Sequence, residues 1–281
     1  MSGALTDDNR PGTLYIVSTP IGNLGDLSPR AVDTLRAVAA VLAEDTRHSR
    51  VLCERFEIRT PLLAYHEHNE AQATPTFIAR LQAGESLALI SDAGTPLLSD
   101  PGARLVRAAI DAGIPVSPVP GASALLAALV GSGLAADRFT YLGFLPRKGG
   151  ERQQMLGLVV GSPLTSVLYE APNRVAATLA DLEAAGGGER ATVVARELTK
   201  QYEEFRRGTV RELAAYYGQH EPRGEVVIVI AGAEAAPIDE AQLRQRAATR
   251  RGEGASARDV QRELQALGAP RNLAYRLAHE D

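Results

Sequence analysis

Short apolar runs that stop abruptly at charged or turn-forming residues, each followed by a helical pattern, recur through most of this chain and constrain its fold more than any other feature. The clearest case spans residues 85–102, ESLALISDAGTPLLSDPG. Residues 87–90 read as a buried strand. SDAGTP breaks that strand, a second acidic turn (SDPG) follows, and residues 103–110 carry the apolar spacing of a helix. Strands alternating with helices of about 10–15 residues imply a largely parallel sheet. In an open α/β sheet, ligands bind beyond the carboxyl ends of the strands, which puts residues 91–96 where a ligand sits. Gly94 reaches backbone angles closed to other residues, Pro96 stiffens the turn, and Asp92 accepts hydroxyl hydrogen bonds. An ordinary strand–helix turn also uses Asp, Gly and Pro, but two such turns so close together favour a ligand site.

Taken in order, residues 1–12 read as a disordered leader and residues 14–19 as a strand closed by Pro20-Ile21-Gly22-Asn23. Ser28-Pro29 opens a helix with an N-cap and a proline in its first turn. Residues 38–43 form a strand ending on Glu44-Asp45-Thr46-Arg47-His48, and residues 62–65 another ending on His66-Glu67-His68-Asn69. A helix over 74–81 leads to the central strand. After a strand at 115–119, Pro120-Gly121-Ala122-Ser123 opens an Ala/Leu-rich helix to about residue 130. Residues 131–137 (GSGLAAD) mark a domain boundary. A second α/β set has strands at 139–144, 165–169, 191–196 and 226–230, with Gly208-Thr209 capping a helix to residue 217. Beyond Pro237 three short helices, at 241–249, 256–267 and 270–279, make an appendix of helix-turn-helix size. The expected organisation is a leader at 1–12, α/β domains at 13–133 and 134–236 with a cleft between them, and a helical appendix at 237–281.

The chain of 281 residues is long enough for two cores. A net charge of −4 gives no global pull towards nucleic acid, although a local basic groove can coexist with an acidic total. The single cysteine, Cys53, excludes an internal disulfide and suits a reducing compartment. No apolar run approaches a membrane span, so a soluble, cytoplasmic protein is expected. GxGxxG, P-loop, GxSxG and Cys-rich metal patterns are absent. His66 and His68 face the same way on an extended chain, but no third ligand stands near and no metal is expected. Strand ends STPIGN, EDTRHS, HEHNE, SDAGTP, PGAS, YEAPNR and RELTK would gather at the carboxyl edges of two sheets, a cleft suited to a polar small molecule.

These strings, with GFLPRK and RGEVVIVIAG in the same order, resemble the ribosomal RNA branch of the tetrapyrrole methylase superfamily over residues 14–232. The pair SDAGTP and EDTR is specific to that branch. The resemblance implies a two-domain α/β fold, normally dimeric, with S-adenosylmethionine (SAM) in the cleft and a cytidine ribose 2′-hydroxyl in the decoding region of 16S rRNA, on the small ribosomal subunit, as methyl acceptor. Carried onto this sequence, the cofactor residues are Pro20, Ser91, Asp92, Gly94, Thr95, Ser123 and Ala124, with Tyr169, Glu170 and Gly208 from the second domain. Two departures stand out. Ser91-Asp92-Ala93 replaces the Gly-Asp-Pro of many relatives, and Asn173 stands where the branch usually has His, which argues for a structural role at that position.

A ribose hydroxyl is a poor nucleophile that a nearby base or cation activates. Glu44, Asp45, Glu197 and Lys200 are the catalytic candidates. Lys200 has two readings of equal weight: an amine whose pKa is lowered by desolvation, or an ion-pair partner of Glu197 that fixes the turn. Arg47, Arg147, Lys148 and Arg174 are the expected phosphate contacts, and Arg244, Arg246, Arg250 and Arg251 of the appendix add RNA affinity. Two rival readings remain: a small-molecule (tetrapyrrole-type) methylase on the same fold, and a non-catalytic nucleotide-binding or assembly protein.

Overall fold

The computed structural model describes residues 10–233 and 239–280, and their strands form two five-stranded sheets. The first contains β1 (Leu14–Val17), β2 (Ala40–Ala43), β3 (Leu62–Ala64), β4 (Leu87–Ile90) and β5 (Val116–Val119) in the order β3-β2-β4-β1-β5. Every pairing in it is parallel. Its connections hold α1 (Pro29–Ala37), α2 (Thr46–Arg55), α3 (Glu70–Gln82) and α4 (Ala103–Asp111), and α5 (Ala124–Ser132) follows β5. The start of α1 is set as the sequence requires, with the Ser28 hydroxyl accepting from Ala31 N at 3.1 Å and Pro29 in the first turn.

Helix α3 begins a full turn before the expected Thr74. Its first turn is closed by Glu70 N on the His66 carbonyl (2.9 Å) and Ala73 N on the Asn69 carbonyl (2.9 Å). Pro75 therefore lies inside the helix and removes one backbone donor, while Thr74 returns its hydroxyl to the Glu70 carbonyl at 2.6 Å. Of the leader, residues 1–9 lie outside the described residues. Gly12 is already part of the fold, its N–H donating to the Leu81 carbonyl at 2.7 Å.

The second sheet contains β6 (Phe139–Phe144), β7 (Thr165–Glu170), β8 (Ala191–Arg196), β9 (Glu204–Thr209) and β10 (Val226–Ile230), ordered β6-β7-β10-β8-β9. Only β6 and β7 are parallel; the other three pairings are antiparallel. Residues 204–209 are thus a strand and not merely a lead-in to a capped helix. The segment between β8 and β9 is too short for a crossover helix, so β9 returns antiparallel as a polar edge strand. Thr209 still forms a capping box with Glu212 at the start of α8 (Val210–Tyr217).

One face of this sheet is covered by α6 (Gly150–Gly161), α7 (Val175–Leu182) and α8, whose Leu156, Val159, Leu179 and Leu213 pack on Leu168, Val194 and Ile228. The opposite face is covered by α5, which follows a strand of the first sheet: Leu125, Ala128 and Leu129 share a core with Val167, Val193, Val227 and Val229. Each such leucine contributes roughly 1.5–3 kcal/mol by leaving water. This explains the apolar face of α5 that carries Leu125, Ala128 and Leu129, and why both sheets belong to one compact unit ending at Gly232.

The second compact unit begins at Ala233 and holds α9 (Glu240–Gly252), α10 (Ala257–Ala266) and α11 (Arg271–Ala278) around Leu243, Ala247, Val260, Leu264, Ala274 and Leu277. The four arginines expected to reach RNA are not a free basic arm. Arg244 pairs with Glu240 and Glu280, Arg246 with Glu263, Arg250 with Glu253 and Glu263, and Arg251 donates to the Leu277 carbonyl. These cations tie the three helices to one another. Among the described residues no helix is long and apolar enough to cross a membrane.

Candidate active site

The loops at the carboxyl edge of the first sheet are fastened to one another. Thr19 and Gly94 exchange backbone hydrogen bonds (2.8 and 3.1 Å), a close approach in which Gly94 adopts φ +80°. The Thr95 hydroxyl donates to the Ala122 carbonyl at 3.1 Å and lies 3.0 Å from the Ser18 hydroxyl. Asp92 accepts from Asp45 N at 3.1 Å, joining the β2 and β4 loops. Leu97 (φ +74°) and Ser99 (φ +69°) are left-handed without being glycine, as are Glu197 and Thr199 in the turn after β8. Such strain persists only where the surroundings over-determine it, and it collects at functional sites. Two tyrosines clamp the halves together: Tyr169 Oη accepts from Leu125 N in the first turn of α5 (3.2 Å), and Tyr141 Oη pairs with Ser99 Oγ (2.7 Å).

Between these loops lies a cavity of about 480 Å³, a size suited to a small cofactor. The first sheet contributes Ile21, Glu44, residues 92–95, residues 98–100 and Ala124; the second contributes Phe144, residues 169–172 and residues 224–227. Its wall is acidic. Burial raises Glu44 above the ordinary carboxylate range, and Asp92 beside it adds to the effect. Burial, reinforced by the Glu44 charge, lifts Asp100 from 3.8 to about 6. Neither forms an ion pair among the described residues. Burial likewise pushes the Tyr169 phenol to about 12, so it remains a neutral hydrogen-bonding group. Unpaired carboxyls with displaced pKa values in a cavity mark it as a candidate working site.

Several expected site residues meet here: Glu44, Asp92, Gly94, Thr95, Ala124, Tyr169 and Glu170 all line the cavity. The Glu170 carboxylate itself is fully buried and already satisfied by Thr178 Oγ1 (2.6 Å), Ala171 N (2.9 Å) and Arg174 Nε (3.2 Å), so only its backbone is offered to a ligand. Pro20 and Ser91 line a smaller adjoining hollow that shares Asp92. Ser123 is the N-cap of α5, and its buried hydroxyl has no hydrogen-bond partner.

Other expectations are corrected. Gly208 pairs with Thr192 at the start of β8, hence at the sheet edge opposite the one that carries the cavity. Asp45 caps α2 through Arg47 N (2.8 Å), and hydrogen bonds from Arg47 hold its carboxyl down at about 2, which makes it a poor base. Arg47 is correspondingly paired with Asp45, although its tip is exposed. Arg174 is engaged by Glu170 and by the Leu145 carbonyl (2.7 Å), so it is not a free phosphate contact. Arg147 and Lys148 are exposed, and Arg147 lines a groove adjoining the cavity.

Lys200 does not carry a lowered pKa. Burial acts in that direction, but the hydrogen bonds that the ammonium donates to Glu197 (2.9 Å) and Glu225 (3.1 Å) outweigh it and hold its pKa above the ordinary value. Its stem crosses Gly22, where a Cβ would fall 2.5 Å from Lys200 Cγ. The Glu197–Lys200 pair therefore clasps the turn after β8 to the loop after β1. Sequence reasoning overlooked Asp100, Phe144, Gly224 and Glu225 as site residues. SDPG was a signal for Asp100; nothing local marked residues 224–225, because β10 runs antiparallel and presents its beginning, not its end, to the cavity.

A family model described as Tetrapyrrole (Corrin/Porphyrin) Methylases matches residues 13–214. The chain belongs to the tetrapyrrole methylase family. Among its relatives, a Synechocystis protein named ribosomal RNA small subunit methyltransferase I is 48% identical over 96% of this chain and 93% of that one. A Xylella fastidiosa protein of the same name is 50% identical over 94% and 98%. The fold is shared with the Thermus thermophilus uroporphyrin-III C-methyltransferase solved as a complex with S-adenosylhomocysteine, at 21% identity, a TM-score of 0.58, and coverage of 78% of this chain and 97% of that one.

Proposed function

We propose that this tetrapyrrole methylase family member transfers a methyl group from SAM to the 2′-hydroxyl of a cytidine in the decoding region of 16S rRNA. The observation that carries this reading is the near-full-length identity of about one half to relatives named ribosomal RNA small subunit methyltransferase I. The cavity fits the cofactor: an acidic wall suits a sulfonium cation, and Ser123, next to the cavity-lining Ala124, has a buried hydroxyl with no partner. Pro20, Ser91, Asp92, Gly94, Thr95, Ser123, Ala124, Tyr169 and the Glu170 backbone hold it in this reading. When bound, SAM supplies an electrophilic methyl group on a positively charged sulfur.

The chain's own groups do the rest. The fastened loops fix the cofactor site rigidly, so positioning supplies much of the rate. Asp100, unpaired and half-buried beside Glu44, takes the proton from the ribose 2′-oxygen; Glu44, itself raised by burial, relays it towards solvent. Tyr169 and Phe144 exclude water from the second-sheet side. Lys200 and Glu197 keep the two sheets in register and move no proton.

The decisive experiment incubates the protein with radiolabelled SAM and small ribosomal subunits from a strain lacking the gene, then maps the modified nucleotide. Label in a 2′-O-methylcytidine is expected. Cofactor binding without label in RNA would refute the substrate and direct attention to small-molecule acceptors. The reading also implies a cytoplasmic homodimer. Leu126 and Val130, one turn apart on α5 and 49% and 74% exposed, are an apolar pair that supports it. Sedimentation should find dimers for the native chain and monomers for Val130→Arg.

A further inference from the structure

The cavity does not end at Phe144. Beyond that ring an open groove continues, lined by residues 144–147, Ala171, Asn173 and Arg174, and it shares Phe144 and Ala171 with the cavity. Phe144 closes β6 with 52% of its surface exposed, while Leu145 next to it is only 1% exposed and anchors the loop in the core. Two guanidinium groups hold the loop's carbonyls. Arg174 donates to the Leu145 carbonyl (2.7 Å), and the buried Arg152 donates to the Pro146 carbonyl (2.9 Å). Arg152 is itself fixed by Asp181 (2.8 Å) and Thr178 (3.1 Å), and Thr178 also donates to Glu170.

A network centred on the buried Arg152 and Glu170 therefore presents Phe144 and Arg147 on either side of the buried Leu145. The Phe144 ring is further steadied by an edge contact with Tyr169 at 5.7 Å between centroids. By contrast, two of the side chains that line the groove are free. Arg147 and Asn173 are exposed and form no side-chain hydrogen bond or ion pair among the described residues, and Lys148 follows directly. An aromatic face, an amide with both a donor and an acceptor, and an unpaired guanidinium suit one unstacked nucleotide: a base to stack, a base edge to pair and a phosphate to neutralise.

We propose that this groove is the subsite for the target nucleotide, with the base stacked on Phe144, its edge on the Asn173 amide and its phosphate on Arg147, so that the ribose sits at the mouth of the cavity. This deepens the RNA reading above and rests on it. It also assigns Asn173, which departs from the branch's usual histidine, a base-contacting role in place of a purely structural one. A macrocyclic acceptor bearing several carboxylates would find one ring and one free guanidinium there, a poorer match.

The test is steady-state methylation of small ribosomal subunits by Phe144→Ala, Phe144→Leu, Asn173→Ala and Arg147→Ala, with calorimetry of SAM binding and thermal melting on each. Both Phe144 variants should raise the KM for subunits about tenfold, since Phe144→Leu keeps bulk but loses the aromatic face. Phe144→Tyr should recover most of that loss. Arg147→Ala should weaken subunit binding and flatten its log–log salt dependence by roughly one phosphate contact. Asn173→Ala and Arg147→Ala lie outside the cavity, and their SAM affinity should be unchanged. Native enzyme that labels subunits while Phe144→Leu and Arg147→Ala keep its KM would overturn the groove alone. A parallel loss of SAM affinity in Phe144→Leu would reassign the ring to the cofactor and overturn it too. Native enzyme that binds SAM but labels no RNA would remove the reading on which the proposal rests.

Discussion

Asp100→Asn separates stability from catalysis at a single carboxyl. In the folded chain, burial and the neighbouring Glu44 charge lift Asp100 from 3.8 to about 6. Two pKa units correspond to about 3 kcal/mol, and partial contact with solvent discounts this to about 1–2 kcal/mol. The sign follows from linkage: a raised carboxyl favours the fold below its unfolded pKa, and that contribution is lost as pH rises through about 6. Above that pH the ionised group opposes folding, so the neutral amide should raise the melting temperature at pH 8 by a few degrees. Activity should move the other way. A base must be ionised to accept a proton, so the native kcat/KM should fall below about pH 6, and the variant should lose about 10²–10⁴-fold in kcat together with that acid limb. Differential scanning fluorimetry and a pH–rate profile on ribosomal subunits measure both. An Asp100→Asn enzyme with a native rate and an unchanged acid limb would refute the assignment, and a lower melting temperature would refute the electrostatics behind it.

Asp92→Ala removes the carboxylate that joins the β2 and β4 loops and faces the cavity, and calorimetry should find SAM binding abolished. Lys200→Met leaves Glu197 and Glu225 without their cation; denaturant unfolding should show a loss of about 1–3 kcal/mol, while the acid limb of the pH–rate profile stays where it was. Leu129→Ala, in the core that α5 shares with the second sheet, should cost about 2–5 kcal/mol in the same assay. Deleting residues 239–281 should change the salt dependence of subunit binding only slightly, because six of the eight arginines it removes are held by carboxylates or a carbonyl of their own unit.

What the sequence by itself determined is local and repetitive. The apolar runs at 14–17, 87–90 and 226–230 dictate buried strands, and Ser28-Pro29 and Thr209 with Glu212 dictate helix starts, since each depends on groups a few residues apart. The turns SDAGTP and EDTR marked the edge where Asp92 and Glu44 meet. Tertiary structure decided which of the gathered charges remained free. Asp45, Arg174 and Lys200 looked as available as Glu44 and Arg147 in the sequence, yet each is spent on a partner, Lys200 in part on Glu225, which lies far along the chain. Gly224 and Glu225 entered the site only because β10 runs antiparallel, and Gly208 left it because its strand pairs at the far edge. Asp100 acquired its raised pKa from burial and from a carboxylate on another loop. Hydrogen-bond partners and desolvation depend on distances through space, which residue order along one chain does not contain.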